Sequence, residues 1–319
     1  MSERTVEVRC RPLEAARWED FERLMRTGRT CSTCWCMRWR MTHRDFRRAT
    51  GDSRHEAMRA RVASGDLPGI LAYRGDEPVG WCSVAPRQSF PGLESSVSLR
   101  PRDDRPAWTI TCFYVAPAWR RRGVMRALLD AAVEHARAGG ATFVEGYPVE
   151  GRDGRMRSGD AYMGLVPAFE EAGFVPLVRA TRRRWVMRRA VDAEPGARRI
   201  LQAYCEAWNR WDLDALFALF ADDAVYRGTH RVLEGRDAIR QMYEASRARG
   251  LTSGLVARVV PLVSGTWGVE LYRQGGQGGH ETVALKHMVV RGGRILGHDL
   301  VEGDAAAGEL APAAVTREV

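Results

Sequence analysis

Residues 108–138 constrain the fold more than any other stretch of this chain. Trp108–Val115, WTITCFYV, has the β-branched and aromatic content of a buried strand, and Pro117 ends it. Arg120-Arg121-Arg122-Gly123 makes a turn, and Arg126–Ala138 then reads as an amphipathic helix with Leu128, Leu129, Ala132 and Val133 inward. Gly139-Gly140 closes that helix. A strand that runs through an Arg/Gly turn into a helix makes an anion site. The N–H groups of the turn and of the helix start converge on one place, and a glycine lets the backbone approach a phosphate closely. The arginines add charge-assisted hydrogen bonds.

Around this unit the chain alternates short strands and helices. Residues 4–10 read as a strand, Leu13–Met25 as a helix, Asp52–Ala63 as a polar helix, and Gly69–Tyr73 with Pro78–Val84 as two strands joined by Arg74-Gly75-Asp76-Glu77. Thr142–Gly146 is a further strand, Asp160–Ala172 a helix ended by Gly173, and Phe174–Met187 a terminal hairpin-like pair. At 319 residues the chain is longer than one core usually spans, so two domains are expected. The expected boundaries are a first domain at 1–190, a linker at 191–196 (Ala190–Gly196 reads AVDAEPG), a second domain at 197–304, and a disordered Ala-rich tail at 305–319. The second domain opens with helices Ala197–Asn209 and Asp212–Phe220, then strand Ala224–Gly228 and helix Arg236–Arg249. Four strands with Gly-rich turns follow: Thr252–Pro261, Gly265–Gln274, Gly279–Arg291 and Arg294–Glu302.

The balance of 45% apolar and 28% charged residues is that of an ordinary globular protein, and no apolar run approaches the roughly 18–20 residues of a membrane helix. The opening MSERTVEVRC carries no secretory signal, so a cytoplasmic protein with reduced thiols and no membrane partner is expected. The net charge is +9, but Lys286 is the only lysine. Arginine richness therefore fits a high-GC codon bias as well as an acidic ligand. The clusters at Arg100–Arg105, Arg120–Arg126 and Arg179–Arg189 carry no aromatic-interleaved basic motif, so no nucleic acid is expected. Cys31, Cys34 and Cys36 form C-x-x-C-x-C without a convincing fourth ligand, His43 being the nearest candidate, so no metal is expected and buried thiols lining a pocket are the plainer reading.

The segment Val115–Leu129 resembles the pyrophosphate loop of the GNAT superfamily of acyl-CoA N-acyltransferases, R/Q-x-x-G-x-G/A. Arg120, Arg122, Gly123 and Val124 match it; Met125 departs where the family prefers Gly or Ala. The resemblance extends over about 1–190 in element order and includes Ala172-Gly173-Phe174. It implies a mixed α/β sheet with helices on both faces, and acetyl-CoA (or another acyl-CoA) held by Tyr114, Val115, Arg120, Arg121, Arg122, Gly123, Val124 and Met125. It also implies that a backbone N–H near Tyr114 or Val115 polarises the thioester carbonyl and that an acid protonates the leaving thiolate. The family's usual Tyr for that role is replaced by Phe169, which leaves Tyr162 and Tyr147 as substitutes. Glu145 is the candidate base; His135 reads as solvated and Cys112 as core.

Cys34-Trp35-Cys36-Met37-Arg38-Trp39-Arg40 resembles a C-W-C-M-x-W-R segment of one GNAT subgroup, which also tends to carry Tyr-Pro (Tyr147-Pro148) and an ending close to Trp185-Val186-Met187-Arg188. By this resemblance Trp35 and Trp39 line an acceptor pocket and Arg38 holds an acidic group, an aromatic plug being the alternative.

Residues 197–304 resemble the SnoaL-like, ketosteroid-isomerase-like cone, an α+β fold, through Phe220–Tyr226, Leu233–Ile239 and Val290–His298. Its candidate polar residues are Tyr226, His230, His280, His287, His298 and Asp299, with a His287–Asp299 pair able to abstract a proton next to a carbonyl. A cone fold does not by itself fix a function. Acceptor binding, in which Tyr226 and His287 would share, homodimer formation and independent catalysis all stay open. The expected activity is N-acetylation of a small-molecule amine, such as a natural product or antibiotic. A bifunctional enzyme with a cyclase or isomerase in the cone, and a non-catalytic acyl-CoA sensor, are the alternatives.

Overall fold

The computed structural model describes residues 7–151, 161–228, 231–262, 264–274 and 280–302. The chain divides into two compact units, Met1–Ala172 with Val178–Val191, and Gly173–Leu177 with Asp192–Val319. The expected tail at 305–319 lies outside the described residues.

The first sheet is built in chain order. β1 (Arg9–Pro12) is followed by a 3-10 turn at Ala15–Arg17, then α1 (Trp18–Arg26), α2 (Cys31–Cys34), α3 (His43–Arg48) and α4 (Gly51–Ala63). α4 is opened by a reciprocal Thr50–Ser53 capping box. β2 (Gly69–Arg74) and β3 (Glu77–Pro86) form the expected hairpin, with Gly75 at φ +57° in its turn. The short α5 (Pro91–Glu94) precedes β4 (Trp108–Val115). Then come α6 (Val124–Ala138), β5 (Phe143–Gly146), α7 (Val166–Glu171), β6 (Val175–Arg179) and β7 (Trp185–Ala190). The seven strands are ordered β1-β2-β3-β4-β5-β7-β6.

Helices cover both faces, as strand alternation dictates. Leu71, Tyr73, Trp81 and Tyr114 pack with Phe21, Leu24 and Met25 of α1 and Met58 and Val62 of α4. From the other face α6 lies so close that a β-carbon on Gly80 would stand 2.7 Å from Val124 Cγ1. The expected helix over Asp160–Ala172 is shortened to Val166–Glu171, its beginning lying outside the described residues. Gly164 sits at φ +98° and Pro167 fits only a first turn, so residues 161–165 are held as an irregular segment.

In the second unit α8 (Ala197–Arg210) and α9 (Leu213–Phe217, capped by Asp212) lead into β8 (Phe220–Arg227), β9 (Val232–Glu234) and α10 (Arg236–Ala248). β10 (Val256–Pro261), β11 (Trp267–Gln274), β12 (His280–Arg291) and β13 (Arg294–Glu302) complete a sheet of order β10-β11-β12-β13-β8-β9. The helices bury one face of this sheet in a core that includes Leu201, Tyr204, Trp208, Phe217, Phe220, Ile239, Tyr243, Val269, Met288 and Ile295. Both fold classes expected from the sequence, a mixed α/β sheet with helices on both faces and an α+β second domain, are present.

Candidate functional site

β4 and β5 run parallel, but their ladder covers only Trp108↔Val144 to Ile110↔Gly146. Beyond it the strands part for local reasons. Pro148 has no N–H to continue a ladder, and Val149 pairs instead with Leu165 and Arg184. The Phe169 ring fills the gap, edge-on to Phe113 at 6.1 Å and so near Gly146 that a β-carbon there would lie 2.2 Å from it. Phe169 is fully buried, and the position where the family's tyrosine stands is a packing wedge in this chain.

The parting leaves β4 with an open edge. Ala116 N–H donates to Val79 O, so by two-residue alternation Tyr114 N–H joins the ladder with β3 while Phe113 and Val115 turn theirs outward. This corrects the expectation for Tyr114: its amide belongs to the sheet, and its side chain is core, with the hydroxyl 2.7 Å from Thr27 Oγ1. Phe113, which the sequence reading missed, presents the other outward amide, and in this structure that amide donates to Tyr162 O at 2.6 Å. A β-bulge where Ser83/Val84 face Cys112/Ile110 would have been the signal, and bulges leave no mark in one sequence.

The edge leads to the Arg/Gly turn. Arg121 (φ +60°) and Gly123 (φ +78°) take left-handed conformations, and Gly123 is the N-cap of α6 with no side chain capping it. The first N–H groups of a 15-residue helix are thus left without a side-chain cap. Arg120 Nε donates to Val115 O at 3.2 Å, while Arg122 lies over the Trp119 ring at 5.4 Å. Arg120, Arg121 and Arg122 are exposed and Met125 is half-buried; Val124 is buried and has only its backbone to offer.

The proposed chemical groups fare unevenly. Glu145 is 2% exposed, and its carboxylate accepts from Arg188 Nη2 at 2.6 Å and Nε at 3.2 Å. Arg188 also binds Asp103 at 2.7 Å. A carboxylate committed to a buried guanidinium is a structural ion, which removes Glu145 as the base. Burial raises the Tyr147 pKa, as it does that of Tyr162, but Tyr147 is fully enclosed and its hydroxyl accepts from Arg87 Nη1 at 2.6 Å, which removes it as a donor to an arriving thiolate. His135 is half-buried against Trp108 at 5.4 Å, not solvated, and burial lowers its pKa.

Tyr162 lies in the segment before α7, half-buried, with its carbonyl on the open edge. Its pKa is raised, first by burial and further by Cys112, and is drawn down by Arg184, Arg38 and Trp39, the groups that surround it. Arg38 stacks over Trp39 at 4.7 Å and approaches His43 Nδ1 at 3.4 Å. Arg38 Nη1 and Arg40 Nε and Nη1 are buried donors with no partner of hydrogen-bond geometry, while Trp39 hydrogen-bonds Tyr162. Arg40, 3% exposed over the Phe90 ring, is lowered to about 10 by burial. Trp35 departs from expectation. It is 3% exposed, in a left-handed conformation, edge-on to His55 at 4.5 Å, and is part of the core and not of a pocket wall. The Cys31 and Cys34 thiols are raised by burial, and that of Cys36 by its hydrogen bond with Cys112 and then by burial.

In the second unit His287 and Asp299 do stand opposite one another on β12 and β13, but on the sheet face away from the helices. His287 approaches Thr266 Oγ1 at 3.4 Å, and Asp299 is half-buried beside Arg227 at 3.8 Å. One residue earlier on each strand, Lys286 and His298 face the helices with Tyr226, whose ring lies 4.9 Å from that of His298. His230 and the side chain of His280 lie outside the described residues. Lys286, the only lysine, is not among the candidates that the sequence offers.

Among the described residues no helix is long and apolar enough to cross a membrane. No curated protein matches the chain. Among solved structures, a Desulfovibrio desulfuricans protein assigned to the GNAT family is 17% identical over 58% of this chain and 99% of its own, with a TM-score of 0.35. A Sinorhizobium meliloti protein assigned as a polyketide cyclase is 24% identical over 32% of this chain and 94% of its own, with a TM-score of 0.27. A Pseudomonas putida protein assigned likewise is 15% identical over 36% and 98%, with a TM-score of 0.26. The acetyltransferase (GNAT) family profile matches residues 35–149 and the SnoaL-like domain profile residues 201–298. The chain therefore carries a GNAT-family acetyltransferase domain followed by a SnoaL-like domain.

Proposed function

We propose that the first unit is an acetyl-CoA-dependent N-acetyltransferase for a small-molecule amine bearing an acidic group. The observation that carries this reading is the open edge of β4, whose outward Phe113 and Val115 amides lead to the uncapped N-terminus of α6. A pantetheine arm can pair with that edge as a strand would, and its pyrophosphate meets the amides of residues 121–125 and the side chains of Arg121 and Arg122. The thioester carbonyl takes the Phe113 N–H in place of Tyr162 O, which polarises it for attack.

The amine attacks the carbonyl carbon, and the tetrahedral intermediate expels the CoA thiolate. Tyr162 is the acid that protonates it: it is half-buried on the segment that meets the β4 edge, whereas Tyr147 is enclosed and held by Arg87. With Glu145 committed to Arg188, no protein base is assigned, and the amine reacts as the neutral form it brings. The unpartnered donors of Arg38 and Arg40 favour an acceptor with an anionic group, since buried donors without partners are costly unless a ligand satisfies them.

A thiol-release assay with acetyl-CoA and a panel of amines, with and without a carboxylate, tests this reading. Turnover that favours the acidic amines, and whose kcat/KM rises with pH along the amine's own titration, is expected. Binding of acetyl-CoA without thiol release on any amine would make the unit a sensor, as the buried Phe169 in place of the family's tyrosine would suit.

A further inference from the structure

Lys286 is the only lysine in a chain with 49 lysines and arginines. It is 4% exposed on β12, and its Nζ lies 2.7 Å from Tyr204 Oη on α8 and 2.7 Å from Tyr243 Oη on α10. The two hydroxyls are 2.9 Å apart, and Tyr243 Oη continues to His298 Nε2 on β13 at 3.3 Å. Trp208 presents its ring 4.5 Å from Nζ. His298 is 1% exposed, and its Nδ1 is buried with no hydrogen-bond partner. Four elements thus bring an amine, two phenols and an imidazole into one hydrogen-bonded chain.

Where nearly every other cation is arginine, the one position that keeps an amine is this buried one. Arginine could supply the charge and more hydrogen bonds, but it cannot lose its proton at ordinary pH or condense with a carbonyl. We propose that the interior of the second unit is a separate active site, in which Lys286 condenses with a small, largely apolar aldehyde or ketone to form an imine. The proposal stands apart from acyl transfer in the first unit.

The step balances as follows. The Lys286 nitrogen lone pair forms a C–N bond to the carbonyl carbon while the carbonyl π pair moves to oxygen, which takes a proton from a tyrosine hydroxyl. The nitrogen returns a proton to that tyrosine. The carbinolamine C–O bond then breaks as its oxygen takes a second proton and leaves as water. Carbonyl, amine and one proton become a protonated imine and water. Burial supports the amine's readiness, lowering Lys286 to about 7, with Cys205 acting the other way. The other titratable groups facing it, Tyr204, Tyr243 and Tyr226, have hydroxyls, and His298 is held neutral by burial and by Lys286 itself. A protonated imine withdraws electrons from the adjacent carbon, whose proton the imidazole of His298 can take.

The test uses the full chain, benzaldehyde and cyanoborohydride at pH 7, with peptide mass mapping. Any chain's other primary amine is its terminal one, so the assignment is clean. The folded protein is expected to carry one adduct at Lys286, formed on the order of a hundredfold faster than on free Nα-acetyl-lysine at the same pH. Y243F keeps the amine and is expected to slow labelling about tenfold, while K286R abolishes it with unchanged circular dichroism. No adduct at residue 286 in the folded protein, an adduct only in denaturant, or labelling indifferent to both Y204F and Y243F would overturn the proposal and leave a structural polar knot. Should K286R fail to fold, the two tyrosine variants still decide.

Discussion

At the open edge of the first sheet, the groups on offer are backbone amides and exposed arginines, supplied by a strand, a turn and a helix that succeed one another within residues 108–138. Inside the second sheet they are buried side chains from α8, α10, β12 and β13, gathered from residues 204 to 298. The first arrangement suits a large polyanion, which needs many fixed donors and little enclosure. The second suits a small molecule handled by one reactive group, because burial is what makes an amine neutral. It also explains why arginine serves in one place and lysine in the other.

The strongest challenge to this contrast is the buried ion pair of the first unit, which the account makes structural. R188M strands the Glu145 carboxylate and should cost on the order of 3–5 kcal/mol in denaturant melts. If E145Q instead abolished acetyl transfer while leaving stability unchanged, the carboxylate would return as the base.

The buried amine should show the opposite sign. Lys286 titrates at about 7 when folded and at the ordinary 10.5 when unfolded, so below pH 7 the native state carries the whole cost of a buried ammonium. Between the two values the native state sheds its proton while the unfolded state keeps one, and stability rises with pH. K286M removes that cost. Thermal melts should show a gain of roughly a few kcal/mol at pH 6 that shrinks towards pH 10. A gain independent of pH would contradict the burial argument.

A smaller effect separates the tyrosines. Y162F should lower kcat about 10- to 100-fold with acetyl-CoA affinity unchanged, whereas Y147F, locked on Arg87, should alter stability more than kcat. Equal losses of kcat would erase the distinction drawn between them. The smallest expected effect is that of R122A, about tenfold in acetyl-CoA affinity, since one exposed arginine shares the pyrophosphate with several amides.

What the sequence made legible follows from how each site is assembled. The Arg120–Gly123 turn and the α6 that follows were readable because strand, turn and helix are contiguous, and a glycine between arginines and a helix start carries one physical meaning. The helical faces of α6 and α8 follow from spacing alone. The outward amide of Phe113 was not readable, because it depends on where β5 stops pairing and on a bulge in β4. Glu145 stands as a candidate base in the sequence because its partner, Arg188, is 43 residues away on β7. In the second unit the sequence offers His298 among several polar candidates and pairs His287 with Asp299, but it is Lys286 and His298 that face the helices. With a period of two, an error of one residue moves a site to the other side of the sheet.

The central claim is that the β4 edge and the α6 N-terminus together bind acyl-CoA. Calorimetric titration of acetyl-CoA into the full chain and into G123E tests it most directly, because the variant puts a side chain at φ +78° and a negative charge where the pyrophosphate must sit. The account predicts saturable binding to the wild type and a loss of about a hundredfold or more in a G123E protein that remains folded. Equal affinity in both, or no binding to the wild type, would contradict it.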